Sequence, residues 1–302
     1  MSIPYISFAH GEAQIAWLQL LAALDAGHHL PKAEVDDTFL YRGADTLLSR
    51  AAWIDGLGSL VKTATIFPDN PTQHLPMING AVTLFDDATG QARAMIDFHL
   101  VTKWKTAGDS LLAATKLARP DPQEILILGA GTVGQSLIEG YRALYPHAKL
   151  RLWNRNIKRA EQVAQEANID LAPSLQHAFE TADIISSATM SSTPFIDGAW
   201  LRPGQHLDLI GAYRPDMREA NDTALTRADI YVDSRATTMG HIGELKIPLE
   251  AGVITPEHIL ADYYDHDAFD RRSDEAITLF KNGGGAHLDL MTADYILRAC
   301  QA

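Results

Sequence analysis

The chain has 302 residues, 46% hydrophobic and 21% charged, which is typical of a globular protein with one large or two medium-sized domains. A net charge of −13 disfavours nucleic acid as a partner, because a phosphate backbone would be repelled. The single cysteine, Cys300, cannot form an internal disulfide. We find neither a signal-peptide pattern nor an apolar run of 18 residues, so we expect a cytoplasmic protein with no membrane partner.

The N-terminal third has the periodicities of a small α+β unit. Apolar residues at helical spacing predict an amphipathic helix over residues 11–26, capped by the glycine that follows. Between about 36 and 97, short β-rich segments alternate with turn sequences such as FPDNP and DDATG, which predicts a small antiparallel sheet. One long helix is then predicted over 99–118, and it ends where Pro120 and Pro122 cannot continue it.

After these prolines, apolar strands alternate with helices. The strands are predicted in EILIL, KLRLWN, DIISSAT, HLDLIGA and DIYVD, and the intervening helices in TVGQSLIEGYRALY and IKRAEQVAQEA. Such an alternation predicts a doubly wound parallel sheet covered on both faces, the α/β class with a Rossmann domain. The last helix, AHLDLMTADYILRAC, is expected to pack back on the N-terminal domain. We therefore predict an N-terminal domain of residues 1–118 together with 287–302, and a dinucleotide-binding domain of residues 119–286.

A glycine fingerprint directly follows the strand EILIL. It reads Gly129-Ala130-Gly131-Thr132-Val133-Gly134 and opens a helix, which is the context expected for a dinucleotide site. The first glycine permits the tight turn, the second lets the backbone approach a pyrophosphate, and the third lets helix and strand pack closely. The helix N-terminus offers free N–H groups to the phosphates. The alternative is a packing turn that contains glycines by chance.

The end of the second strand indicates which nicotinamide cofactor is used. An NAD enzyme would place an acidic residue there for the ribose 2′-hydroxyl, but the sequence is Trp153-Asn154-Arg155. Arg155, followed by Lys158 and Arg159, is suited to a 2′-phosphate. We therefore expect NADPH to be preferred, with NADH as the alternative. These cations would otherwise be the solvated start of a helix.

Lys62 lies among apolar residues of a predicted strand, and Lys105 lies in the predicted helix that follows, with Arg50 as a third cation earlier in the chain. A lysine is seldom buried without a partner, so such cations either extend to solvent or meet an anion. Taken singly, each of these cations is accounted for by a structural role. Together they predict a cationic pocket for a substrate carboxylate.

The order of motifs resembles the ornithine cyclodeaminase/mu-crystallin family across almost the whole chain. The shared motifs are Lys62 followed by FPDNP, Leu75-Pro76 before GAVTLFDDATG, VTKWKTAGDSLLA, the glycine fingerprint, GAYRPDMREAN and LFKNGGGAHLDL. The resemblance implies a homodimer with an N-terminal substrate domain and a Rossmann domain. It also implies a reaction through an imine next to a carboxylate, with hydride exchanged with the nicotinamide.

The resemblance assigns roles to individual residues. Lys62 matches a lysine that contacts substrate, and Lys105 stands where the family has an arginine, so the positive charge is kept without the two-pronged grip on a carboxylate. Thr106 matches a position near the cofactor. The other predicted cofactor contacts in this set are Ala188, Thr189, Gly211, Lys281 and Asn282, the last in place of a serine.

Tyr213 bears on the type of reaction. It occupies a position where cyclodeaminases of the family have a catalytic aspartate, and a tyrosine with an ordinary pKa near 10 is a poor substitute. The signatures WNR and RPDMRE are similar to those of the ketimine reductases, which reduce Δ1-pyrroline-2-carboxylate and Δ1-piperideine-2-carboxylate. The alternatives are ornithine cyclodeamination, reductive amination of an open-chain 2-oxo acid, and a non-enzymatic NADPH-binding role.

The source of the proton for the imine nitrogen is left open by the sequence. It arrives with the substrate or comes from Tyr213, His287 or Asp289, while His287 is equally suited to capping the last helix. The twelve histidines show no zinc-site spacing, so we expect no metal.

Overall fold

The computed structural model describes residues 3–301, which form two compact units. The first unit consists of the residues up to Lys105 together with those from Gly285 onward, and the second of Thr106–Gly284. The units divide after Lys105 and after Gly284, whereas the predicted domain boundaries lie after residues 118 and 286. The predicted domain organisation stays a prediction.

The secondary structure follows in chain order. The strands are β1 (Tyr5–Ile6), β2 (Glu34–Arg42), β3 (Asp45–Ile54), β4 (Gly58–Ile66), β5 (Ile78–Phe85), β6 (Ala92–Asp97), β7 (Glu124–Leu128), β8 (Lys149–Trp153), β9 (Asp170–Leu171), β10 (Ile184–Ser187), β11 (His206–Leu209), β12 (Asp229–Val232), β13 (Ile259–Asp262) and β14 (Thr278–Lys281). The helices are α1 (Phe8–Glu12), α2 (Trp17–His28), α3 (Phe98–Leu117), α4 (Thr132–Leu144), α5 (Ile157–Ala167), α6 (Leu175–Thr181), α7 (Asp222–Arg227), α8 (Arg235–Thr238), α9 (Gly243–Glu250) and α10 (Ala286–Gln301).

The first unit is built on one six-stranded sheet with the order β1-β6-β5-β4-β3-β2. The strands from β2 to β6 are antiparallel to their neighbours, as predicted, and β1 adds to β6 in parallel. One face buries alternate residues such as Leu60, Val82 and Ile96. Helix α10 packs against α2, β3 and β4 within this unit.

The predicted helix over residues 11–26 is wrong in its bounds. Helix α1 ends at Glu12, and α2 runs from Trp17 to His28. Gly27 lies inside α2 and does not cap it. A Cβ at Gly27 would lie 2.6 Å from the sulfur of Met291 on α10, so the glycine allows close packing of the two helices.

The second unit contains an eight-stranded sheet with the order β13-β12-β14-β11-β10-β7-β8-β9. Every neighbouring pair is parallel, which confirms the predicted doubly wound sheet. Strand β14 was not predicted and lies between β11 and β12. The strand order reverses beside β7, where β8 follows on one side and β10 on the other, and ligands of such sheets bind at this switch point.

No helix among residues 3–301 is long and apolar enough to cross a membrane.

Candidate active site

The strand register of the first unit places three charged side chains in one row. Asp37 on β2 lies opposite Arg50 on β3, and Arg50 lies opposite Lys62 on β4. Residues directly opposite each other in an antiparallel pair share a face, and this row is on the face that α10 covers. Arg50 donates through Nε and Nη2 to both carboxylate oxygens of Asp37, at 2.9–3.1 Å. The guanidinium that was predicted to bind substrate is therefore held in place by a carboxylate.

Lys62 forms a buried ion pair with Asp289, in the first turn of α10. Its Nζ donates to Oδ1 at 2.8 Å, and the two side chains are 5% and 0% exposed. The pKa of Lys62 is lowered to about 8, mainly because the side chain is buried. Asp289 opposes this shift, and the positive charges of Lys105 and Arg50 contribute to it. Burial by itself would raise the pKa of Asp289, but the surrounding cations bring it below its ordinary value. Nζ of Lys62 also lies 4.7 Å from the ring centroid of Phe98.

Lys105 and His287 complete this group of charged and polar residues. Lys105 is 5% exposed and lies two turns after Phe98 on α3, so the two share a helix face. His287 packs edge-on against the ring of His28, with 5.6 Å between centroids. Burial, and then the charge of Lys105, lowers the pKa of His287 to about 3, so it is a poor proton donor at neutral pH. Helix α10 begins at Ala286, which places His287 in the first turn and not at the cap.

In the second unit, the glycine fingerprint has the geometry expected of a pyrophosphate site. Gly129 follows β7 with φ of +114°, a backbone conformation that favours glycine. Gly131 is the N-cap of α4, and a Cβ there would meet no atom within 4 Å, so a ligand can approach the backbone. A Cβ at Gly134 would lie 1.9 Å from the carbonyl oxygen of Gly129, so helix and loop are in direct contact. Thr132 and Val133 open the helix and present its first N–H groups.

Residues that follow β8 hold the glycine fingerprint loop in place by hydrogen bonds. Asn154 accepts from the backbone N–H of Ala130 at 3.2 Å, and Nε of Arg159 donates to the carbonyl of Ala130 at 3.3 Å. Arg155 and Lys158 are exposed on the same segment. The predicted cofactor residue Asn154 therefore shapes the fingerprint loop, and the two exposed cations are available to an anionic ligand.

Two further predicted cofactor residues, Lys281 and Asn282, lie at the end of β14. Lys281 is fully buried and its ammonium donates to the carbonyls of Leu209, Ile210 and Asn282 at 2.6–3.4 Å. This geometry favours a structural role, and its predicted cofactor contact stays a prediction. Asn282 donates through Nδ2 to the carbonyl of Thr106 at 2.9 Å, so these two predicted cofactor residues are directly linked.

Tyr213 lies in the loop after β11 and is 54% exposed. The guanidinium of the adjacent Arg214 lies 5.8 Å from its ring centroid. The phenol is therefore accessible to a ligand.

Several buried carboxylates of the second unit are not singled out by the sequence, among them Asp208, Glu219 and Glu244. Burial raises the pKa of Asp208 and of Glu244 to about 7. Asp208 accepts from the hydroxyls of Ser110 and Ser186. Glu219 belongs to the RPDMREAN segment that was quoted for the resemblance, but no spacing rule singles it out.

No group of three or more His, Cys, Asp or Glu side chains among residues 3–301 is placed to hold a metal ion.

A family model matches most of the chain. The model described as the ornithine cyclodeaminase/mu-crystallin family covers residues 55–301. The chain belongs to this family. The predicted family membership is therefore confirmed, and the two units can be compared with known members.

Two curated relatives and one solved structure are similar over much of the chain. The Δ1-pyrroline-2-carboxylate reductase of Paracoccus denitrificans is 46% identical over 97% of this chain and 96% of its own length. The enzyme of the same name from Colwellia psychrerythraea is 34% identical over 78% of each chain. The structure of the Thermococcus litoralis Δ1-pyrroline-2-carboxylate reductase, in complex with NADH and L-proline, has a TM-score of 0.89 over 99% of this chain and 98% of its own. Its identity is 24%, so this match supports the fold alone.

The fingerprint geometry predicts the effect of replacing one glycine. In Gly134→Ala, the new methyl group collides with the backbone of Gly129 and displaces the loop, so we expect at least about a 10-fold rise in the Kd for the nicotinamide cofactor. Fluorescence titration measures this Kd.

Gly140→Ala is the matched control on the same helix. Its methyl group meets the side chain of Leu111 and not the loop, so stability changes while the Kd stays within about 2-fold of wild type. Equal Kd values for wild type and Gly134→Ala would contradict the assignment of the fingerprint.

Proposed function

We propose that the protein is a nicotinamide-dependent imine reductase that reduces small cyclic imino acids, with Δ1-pyrroline-2-carboxylate as the main candidate and Δ1-piperideine-2-carboxylate as the next. The observation that carries the proposal is the 46% identity to a Δ1-pyrroline-2-carboxylate reductase over nearly the full length of both chains. The buried cationic group of the first unit and the fingerprint of the second supply the two binding functions that the reaction needs.

The first unit supplies the groups that bind the substrate carboxylate. Lys105 and Arg50 both lower the pKa of Lys62, which means that the three cations repel one another in the folded protein. A bound carboxylate relieves this repulsion, and in a buried site the attraction is stronger than in water. Asp289 holds Lys62 in a fixed position, so the imine carbon is oriented by a preformed group.

The second unit supplies the groups that bind the cofactor. The fingerprint loop and the first turn of α4 hold the pyrophosphate, and Thr106, Asn282, Thr189 and Gly211 are the proposed contacts to the rest of the molecule. When bound, the nicotinamide supplies a hydride to the imine carbon. The imine nitrogen carries a proton in this step, which arrives with the substrate or from Tyr213. Asp289 is ionised in its ion pair with Lys62 and has no proton to donate.

The cofactor preference proposed here is for NADPH. The second strand ends without a carboxylate that would bind a ribose 2′-hydroxyl, and Arg155 and Lys158 are exposed next to the fingerprint loop. A guanidinium in this place matches the charge and shape of a 2′-phosphate.

We also propose that the protein is a homodimer, formed through the open face of the sheet in the first unit. This face carries large apolar side chains that are 36–61% exposed: Leu40, Leu47, Trp53, Val61 and Met95. The strand register places them together, on the face opposite Lys62. A continuous apolar surface of this kind is typical of an interface between subunits. The cytoplasmic location stays a prediction.

The function is tested by following nicotinamide absorbance with Δ1-pyrroline-2-carboxylate, Δ1-piperideine-2-carboxylate, and pyruvate with ammonia as parallel substrates. We expect fast oxidation of NADPH with a cyclic imine and at least about 10-fold higher kcat/KM for NADPH than for NADH. Release of ammonia from ornithine without consumption of cofactor would point to cyclodeamination instead. Binding of NADPH with no turnover of any imine would contradict the proposal.

The variant Arg155→Ala tests whether Arg155 is responsible for the preference for NADPH over NADH. This variant should raise the KM for NADPH at least about 10-fold and leave the KM for NADH unchanged. Lys149→Ala, which removes an exposed cation at the other end of β8, should change neither value. An equal effect of Arg155→Ala on both cofactors would contradict the 2′-phosphate assignment.

The lowered pKa of Lys62 predicts how substrate binding depends on pH. Above about pH 8 the ammonium loses its proton and with it the attraction to a carboxylate, so the KM for the imino acid should rise up to about 10-fold per pH unit. Initial rates at saturating NADPH between pH 7 and 10 measure this dependence. Lys62→Arg keeps its charge over this range and should give a flat KM profile. A flat profile for the wild type would contradict the role of Lys62.

A further inference from the structure

We propose that Glu219 is a positioning residue for the cofactor, whose carboxylate fixes the loops after β10 and β11 so that Thr189 and Gly211 contact the nicotinamide cofactor. This inference rests on the proposed function and adds to it a residue that touches neither cofactor nor substrate.

The carboxylate of Glu219 accepts four hydrogen bonds from the two loops. Oε1 accepts from the hydroxyl of Ser187 at 2.6 Å and from both the backbone N–H and the hydroxyl of Thr189, at 2.7 and 2.6 Å. Oε2 accepts from the backbone N–H of Gly211 at 2.7 Å. One side chain therefore joins the end of β10 to the end of β11.

Glu219 is itself rigidly held. The side chain is 0% exposed. Its backbone N–H donates to Oε2 of Glu244 at 2.7 Å, and its carbonyl accepts from the N–H groups of Phe195 and Ile196, both at 3.0 Å. Because the backbone of Glu219 is fixed, its carboxylate offers the loops hydrogen-bond acceptors in a fixed position.

The loops tolerate little displacement. A Cβ at Gly211 would lie 1.7 Å from the carbonyl oxygen of Thr189, so the two loops are in backbone contact. A Cβ at Gly129 would lie 2.6 Å from the carbonyl oxygen of Ala188, which extends the contact to the fingerprint. A displacement of Thr189 would therefore also displace the backbone at the ends of β7, β10 and β11, where the cofactor site is predicted.

The chemistry of the group explains why a carboxylate is required. The backbone N–H groups of Thr189 and Gly211 approach different oxygens, so both oxygens must accept. The amide of a glutamine offers one acceptor and one donor, and the donor would face an N–H group. Replacing the carboxylate with an amide therefore removes the hydrogen bond to one of the two loops and places two N–H donors against each other.

The experiment compares Glu219→Gln with the wild type in the full-length protein. The Kd for NADPH is measured by fluorescence titration without imine, and the KM for each substrate by steady-state kinetics. We expect the Kd and the KM for NADPH to rise at least about 10-fold, while the KM for the imino acid at saturating NADPH stays within about 2-fold. A merely structural role would lower the thermal midpoint and the active fraction without this separation of KM values.

Asp262→Asn is the matched control. Asp262 is also a buried carboxylate that accepts from two backbone N–H groups, those of Arg235 and Tyr264, at 3.0 and 3.1 Å. It lies at the end of the edge strand β13. We expect a loss of thermal stability in this variant with an unchanged Kd for NADPH.

A milder variant keeps the proposal testable where Glu219→Gln does not fold. Ser187→Ala removes one of the four hydrogen bonds to Glu219, and we expect the Kd for NADPH to rise about 3-fold. A Kd within experimental error of wild type in the folded Glu219→Gln protein, or in Ser187→Ala where that protein does not fold, overturns the proposal.

These results are distinct from those that bear on the function itself. A wild type that binds NADPH but reduces no imine contradicts the proposed function, while the effect of Glu219→Gln on the Kd still decides the present inference. A wild type that binds neither NADPH nor NADH overturns both.

Discussion

The buried ion pair between Lys62 and Asp289 is the constraint on which the first unit depends. Desolvating two charges is costly, and removing one partner of such a pair commonly destabilises a protein by about 3–5 kcal/mol. The pair joins β4 to α10, which come from opposite ends of the sequence, and so makes the last helix part of the N-terminal unit. Lys105 and Arg50 add positive charge around it. The fold thereby maintains a cationic group under the sheet that a substrate carboxylate can bind.

The second unit uses buried charge for a different purpose. Glu219 and Lys281 are both fully buried, and each directs its polar atoms at the loops where the parallel strands end. A parallel sheet covered on both faces leaves its strand ends as the place for a ligand, and the chain leaves each strand there as a loop. Charged hydrogen bonds to backbone groups hold such loops more firmly than neutral ones do. In the proposed site, the residues that bind the cofactor and the residue that positions them are therefore separate.

Local patterns in the sequence predicted much of the molecule, and long-range pairing accounts for what was missed. The glycine fingerprint, helix α3 and the strands β7, β8, β10, β11 and β12 depend on neighbouring residues, so their local patterns were sufficient to predict them. The row of Asp37, Arg50 and Lys62 depends on strand register, and Asp289 lies 227 residues from its partner, so neither contact could be predicted from spacing. The end of α2 was misplaced because Gly27 accommodates Met291, a tertiary contact. Glu219 carries no local signal, since its partners are brought to it only by the folded sheet.

The most direct test of the account is the fate of the hydride. NADPH deuterated at C4 on the transferred side is incubated with Δ1-pyrroline-2-carboxylate and the protein, and the product is analysed by mass spectrometry and NMR. We expect proline with one deuterium on its α-carbon and a single configuration at that centre, because the imine carbon receives hydride on one face. Proline without deuterium, or no proline beyond the reaction without protein, would contradict it.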